Sequence, residues 1–387
     1  MRDKLKISNN MKARFKWEYL YVFLFLIKYA FYNTRINFWD SIQTLLTVAL
    51  IVIYLIDLGK KKELLRTLIV HLIALFIGLI SYYITGMSLF LLIILLYLLI
   101  EKKDIFNLIR LFLVIRTVSL IIVVLCSITG IVSNVVYHVY KSGTIITLRA
   151  YGFNHPNQLA QAIASVCMAT ICLNYKRKRH LFLLVLILMV MNYYITKSRS
   201  ALICTGILLL LSVLLNKKKI NDKGKQRLVV IFSCFYILFF VAGIVFPILM
   251  NICTGRVREI IYYINGLIGS RFSFANAVLS NYHITLFGNT FDFTFLEHLY
   301  GNYAVDNSYI NVLFNFGILA IVFYALTTYF SMKSLIKNNY YILASYILVV
   351  LLWGNFENIL FNISINMSLL FIGTDSNFRF RHLKIKI

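Results

Sequence analysis

A succession of apolar runs, set apart by short clusters of Lys and Arg, leaves this sequence few possible folds. The runs are Trp17 to Tyr32, Phe38 to Leu58, Leu64 to Ile84, Met87 to Ile100, Ile105 to Thr129, Asn157 to Tyr175, Leu181 to Ile195, Ala201 to Leu215, Leu228 to Met250, Ser308 to Phe330, Tyr340 to Trp353 and Ile359 to Ile372. A membrane-crossing helix needs about 20 predominantly apolar residues, so the longer runs read as spans and the shorter ones as short or tilted spans. The pattern predicts an all-α, polytopic integral membrane protein with about twelve transmembrane helices.

Composition excludes the main alternatives. Hydrophobic residues make up 60% of the chain and charged residues 14%, with a mean hydropathy of +0.81. Soluble domains hold an apolar share of only about 45–50%. The net charge of +25 could point to nucleic acid. Its distribution does not: the basic residues gather at 60–62, 102–103, 176–179, 217–219 and in two tails, alternating with the apolar runs. They mark the cytoplasmic side of a membrane topology, so no nucleic-acid partner is expected. Both termini are expected in the cytoplasm of a bacterial cell, with Met1 to Lys16 as a retention tail and no cleavage signal before the first span. On this reading residues 1–387 form a single transmembrane domain, with sizeable extracytoplasmic loops at 130–156 and 251–307. The six cysteines have no disulfide or zinc spacing and the seven histidines do not cluster as ligands, so neither metal nor cofactor is expected.

Because most cations serve topology, function is sought among the outer and intramembrane charges. The loop from Asn251 to Asp306 holds Arg256, Arg258, Arg271, Glu259, Glu297, His298 and Asp306 but not one Lys, in a chain with 39 Lys plus Arg. Exclusive use of Arg suggests geometry, since its planar fork grips phosphate bidentately. Apolar residues at Val257, Ile260, Ile261 and Ile264, then at Phe272, Ala275, Val278 and Leu279, follow helical spacing. Two amphipathic helices hinged near Gly266 and Gly269 are therefore expected here. Ser270 would cap the second, leaving Arg271 in its first turn, where a cation opposes the helix dipole and a functional reason is expected.

Three other stretches stand out. In Arg149-Ala150-Tyr151-Gly152-Phe153-Asn154-His155-Pro156-Asn157, the proline signals a helix start that Asn154 or His155 could cap, whereas Arg149 and the His155 imidazole are left over as candidate functional groups, with Asn157 beside them. The short turn Thr196-Lys197-Ser198-Arg199-Ser200 presents Arg199 either to lipid phosphates or to a substrate pyrophosphate. Asp306-Asn307-Ser308 opens a span, so Asp306 is either a helix cap or a carboxylate base at the membrane surface. Glu297, His298 and His155 are rival bases, and Asn307 is a further candidate. Arg116, an ionisable residue inside a span, is expected to face a cavity or a partner.

With these residues in view the chain resembles the O-antigen polymerase and O-antigen ligase superfamily, and in particular its Wzy-type polymerases of surface polysaccharide. The resemblance is carried by Arg149 to Asn157, by Thr196-Lys197-Ser198-Arg199-Ser200-Ala201-Leu202, by the Gly269-Ser270-Arg271 opening that reaches Leu286-Phe287-Gly288, and by Asp306-Asn307-Ser308-Tyr309-Ile310 running to Gly317. It implies a metal-independent membrane glycosyltransferase with its active site on the outer face. It further implies that an undecaprenyl-diphosphate-linked glycan donor and acceptor are joined into capsular polysaccharide, exopolysaccharide or O-antigen. The donor diphosphate would be held by Arg199 and Arg271, and by Arg149 or Arg256. Asp306, His298 or His155 would act as base; ligase members commonly have His where this chain has Asp306, which leaves that choice open. Membrane lipids, flippases and chain-length regulators are the implied partners. The alternatives are a ligase moving finished glycan to another acceptor, a lipid-oligosaccharide flippase or transporter, and a scaffold whose outer arginines are replaceable. A transporter is expected to show midplane charges, broken helices and an internal repeat.

Overall fold

The computed structural model describes residues 17–36, 39–60, 65–99, 105–141, 144–174, 179–216, 220–290, 297–298 and 305–372. The basic tails, and most of the basic clusters that set the expected topology, lie outside those residues. The described chain forms α1 (Trp17–Ala30), α2 (Trp39–Lys60), α3 (Leu65–Thr85), α4 (Leu89–Leu99), α5 (Ile105–Ile128), β1 (Val136–Lys141), β2 (Thr144–Arg149), α6 (Pro156–Asn174), α7 (Arg179–Thr196), α8 (Arg199–Asn216), α9 (Asp222–Ile252), α10 (Gly255–Leu267), α11 (Arg271–Asn281), α12 (Ser308–Lys337) and α13 (Tyr341–Trp353), then a 3-10 turn at Met367–Leu370. Five helices, α2, α3, α5, α9 and α12, are long and apolar enough to cross a membrane by length and composition. They mark a multi-pass membrane protein.

The expected twelve spans are not met among the described residues. Parts of α4, α7, α8 and α13 are apolar but shorter than a span. The run from Ile359 to Ile372 is not an α-helix: it folds as buried turns that end in the 3-10 segment. Its physical reason lies in Asn362, Ser364, Asn366 and Ser368, whose side chains bond to nearby backbone and to one another and so compete with the helical ladder. Asn362 Oδ1 accepts from the Ser364 amide at 3.1 Å, and Asn366 Oδ1 from the Ser368 amide at 3.0 Å. Irregular backbone of this kind is stable in a membrane protein only when packed inside protein, and this segment is.

A second departure from an all-α chain is the hairpin β1–β2, antiparallel with Val136 opposite Arg149 and Lys141 opposite Thr144. The strands are rich in the β-branched and aromatic residues that favour extended backbone, Val136, Tyr137, Val139 and Tyr140 in one and Thr144, Ile145, Ile146 and Thr147 in the other.

The core sits between α4, α8, α12 and α13, with α6 packed between α5, α7 and α8. Helix α13 is apolar all round and buried along nearly its whole length, as a helix without a polar face must be. Helix α12 breaks at Gly317 (φ 87, ψ 178), where residues 285–289 lie across the gap. The Asn289 amide donates to the Phe314 carbonyl at 2.9 Å, and the Ile318 amide to the Thr285 carbonyl at 3.0 Å. A Cβ at Gly317 would overlap the Leu286 carbonyl, so only glycine fits both the dihedral and the space. Leu286-Phe287-Gly288 and Gly317, distant in sequence, are therefore one structural feature. The break isolates residues 308–316 as a short helix aimed at the site below.

Candidate active site

Four helices start around one carboxylate. Glu357 follows α13 in a turn and is 3% exposed. Its Oε1 accepts from Ser200 Oγ at 2.8 Å and its Oε2 from Gln161 Nε2 at 3.0 Å. Arg271 Nη2 lies 3.8 Å from Oε1 and 3.2 Å from Asp306 Oδ2. Ser200 is in the first turn of α8, Arg271 is the first residue of α11, Asp306 stands just before α12, and Gln161 is in the second turn of α6. Helix N-termini carry partial positive charge and unpaired amides, so this end of the bundle favours anions.

Each group is placed by local chemistry. Pro247 in α9 has no N–H to give the carbonyl four residues earlier, Gly243, which instead accepts from Asn307 Nδ2 at 2.8 Å. The same Asn307 caps α12, its Oδ1 accepting from the Tyr309 and Ile310 amides. Asp306 is thereby released from capping and free to face the cavity. Ser308 Oγ donates to the Glu357 carbonyl and accepts from the Ile359 and Leu360 amides, fixing the turn that carries Glu357. Arg271 is held by the Phe356 carbonyl at 3.2 Å and the Gly269 carbonyl at 3.4 Å.

Ser270 does occupy the position before α11, but it does not cap. Its backbone is left-handed (φ 62) and its side chain makes no capping bond. Asn265 Oδ1 takes that role, accepting from the Phe272 and Ser273 amides at 3.0 and 3.2 Å. His155, by contrast, is explained by capping. Its Nδ1 accepts from the Asn157 amide at 3.1 Å, while its own amide donates to Gln158 Oε1 at 3.1 Å, a reciprocal cap at the start of α6. With Nδ1 so engaged, the neutral ring carries its proton on Nε2, and its one basic lone pair is taken up by the cap. Desolvation, and then the Arg271 charge, hold its pKa below the usual value.

The remaining sequence candidates divide as follows. Arg199 opens α8 with an exposed side chain; its neighbour Ser200, not Arg199, reaches the carboxylate. Arg149 is exposed at the end of β2 and Arg256 is exposed on α10. His298 and Glu297 are exposed, and their immediate neighbours on either side lie outside the described residues. Arg116 is buried in α5, its Nη1 donating to the Ala30 carbonyl at 3.2 Å and its Nε to Ser165 Oγ at 3.4 Å, so it ties α5 to α1 and α6.

Beside the cluster lies a cavity of about 870 Å³, within the range of about 300–1,000 Å³ usual for ligand sites. Asp306, Glu357, His155, Asn157 and Gln161 line it. Nine of its 25 lining residues are Asn or Gln and five are Tyr or Phe, which makes a wall of hydrogen-bonding amides and flat apolar faces rather than a hydrocarbon slot. Burial raises the pKa of Asp306, against the pull of Arg271. Burial, and then the Asp306 charge, push Glu357 up to about 7.

Sequence reasoning missed Glu357, Gln161 and Ser200. Glu357 carried a usable signal: it is the one acidic residue in Gly354-Asn355-Phe356-Glu357-Asn358, between two apolar runs on the expected outer side. Comparison of the chain with protein-family models, with curated protein sequences and with solved structures returns no match.

Proposed function

We infer that this protein is a membrane glycosyltransferase that joins polyprenyl-diphosphate-linked oligosaccharide units into a surface polysaccharide, with the cavity beside Glu357 as its active site. One observation carries the reading. The stretches singled out in the sequence at 149–157, 198–200, 269–271 and 306–308 come from four separate regions and converge on Glu357: His155 and Asn157 line the cavity beside it, Ser200 and Arg271 meet its carboxylate, and Ser308 holds its backbone. In the proposed reaction an acceptor hydroxyl gives its proton to Asp306 and attacks the anomeric carbon. The bond to the diphosphate breaks with its electron pair staying on the leaving oxygen, whose charge Arg271 offsets. Such direct displacement inverts the anomeric centre. The amide and aromatic lining suits a polyhydroxylated ligand, each hydroxyl needing a donor and an acceptor.

The break in α12 is the observation that favours a transporter, a class in which discontinuous helices coordinate substrate. Here the loop at 285–289 takes up groups exposed by the break, which weakens that alternative. The test is to incubate the purified protein in liposomes with an undecaprenyl-diphosphate-linked repeat unit. A glycan ladder is expected; lipid-linked sugar that crosses the bilayer unextended would make the protein a flippase instead.

A further inference from the structure

An anion site with two carboxylates and one cation needs a proton. With Asp306 and Glu357 both ionised, the cluster around Arg271 carries a formal charge of −1 and repels a diphosphate. With one proton on the pair it is neutral, and the Arg271 fork, whose side chain is 22% exposed, can turn toward a ligand. We propose that the Arg271–Asp306–Glu357 cluster is a proton-coupled anion site, in which binding of a prenyl diphosphate draws one proton onto Glu357. The inference rests on the reading of this cavity as the donor site.

Geometry assigns the proton to Glu357 rather than Asp306. Glu357 is the more buried of the two, 4% against 26% for the side chains, and the farther from Arg271, 3.8 against 3.2 Å. Its hydrogen-bond partners also tolerate the neutral form. Ser200 Oγ can rotate to accept the carboxyl proton and pass its own toward Ser198 Oγ, 3.4 Å away. Among the described residues, the charged and titratable groups around the pair are Arg271 from α11, His155 ahead of α6 and Cys204 from α8, with Lys28 of α1 lining the same cavity. His155 is disfavoured as the acceptor because Arg271 and burial both oppose its charging. A proton on Glu357 leaves Asp306 ionised, as the base in the proposed reaction must be.

The test is calorimetric binding of citronellyl diphosphate to the full chain in nanodiscs, in pairs of buffers that differ in ionisation enthalpy. Wild type is expected to take up protons on binding and to lose affinity by up to tenfold per pH unit above about 7. Glu357→Gln is expected to bind with only the uptake due to the diphosphate itself, and without the added alkaline loss. Gln161→Leu keeps the carboxyl but removes a donor to its ionised form, so the alkaline loss moves to higher pH. Binding with proton uptake identical in wild type and Glu357→Gln overturns the coupling and leaves the donor site standing. Absent binding, or binding that Arg271→Ala leaves intact, overturns the donor site itself.

Discussion

Replacing Arg271 with Met should destabilise the protein by an amount that grows with pH. The side chain makes hydrogen bonds to two carbonyls and faces two carboxylates, and these contributions separate by their pH dependence. The carbonyl bonds, at about 0.5–1.5 kcal/mol each, are lost at every pH. The Asp306 pair keeps some solvent contact, with 22% and 26% of the side chains exposed, and is worth about 1 kcal/mol. Glu357 is different. Its proton is held more tightly in the folded protein than the ordinary value of 4.5 allows, so its contribution to stability is full below about pH 4.5 and is lost as pH rises to about 7. Without Arg271 its affinity for the proton rises further, and at about pH 8 the protein must either bury an unpaired charge or bind a proton from dilute solution. Removing one partner of a buried pair costs about 3–5 kcal/mol when the other stays charged, and protonation of Glu357 caps that here. The expected loss is about 3 kcal/mol at about pH 5 and about 4–5 kcal/mol at about pH 8. Thermal unfolding in detergent at both pH values, with the Arg271→Met/Glu357→Gln double variant alongside, measures it. The double variant should lose the pH dependence. A loss equal at both pH values, or a dependence that persists in the double variant, refutes the argument.

Asn307→Asp keeps the cap on α12 but removes the donor to the Gly243 carbonyl, and should cost about 1–2 kcal/mol in unfolding experiments; Asn307→Ala should cost more, since the cap is lost as well. Gly317→Ala forces a side chain against the Leu286 carbonyl at a positive φ, and should destabilise by several kcal/mol, read as loss of a monodisperse elution peak, whereas Gly59→Ala, with open space around it, should be neutral or slightly stabilising. Cysteines placed at Ser200 and Lys218 should label from opposite faces of the membrane; labelling from the same face would overturn the topology.

Long helices were legible because length and apolarity suffice to define them. The run from Ile105 to Thr129 is α5 to within a residue, and Leu64 to Ile84 is α3 with its ends shifted by one. What escaped was decided by pairings that no local pattern encodes. Asn and Ser between 362 and 368 sit in a run apolar enough to read as a span, yet their bonds to backbone hold it as turns. At the site, sequence singled out Arg271 and Asp306, which meet, but also Arg149 and Arg256, exposed on other elements. Arg256 and Arg271 both stand at the head of a helix and look alike until the tertiary fold shows which one finds a carboxylate. Asp306 and Asn307 were equally good caps on sequence; Pro247, sixty residues away, breaks the tie by leaving a carbonyl that only an amide can satisfy.

Glycan transfer is assigned to the cluster of Arg271, Asp306 and Glu357. The most direct test of that assignment compares glycan ladders formed in liposomes by wild type, Arg271→Ala, Asp306→Asn and the exposed-site control Arg256→Ala. A ladder is expected from wild type and Arg256→Ala and none from the two cluster variants, each shown to be folded. A full ladder from Asp306→Asn or Arg271→Ala would contradict it and move the chemistry elsewhere on the molecule.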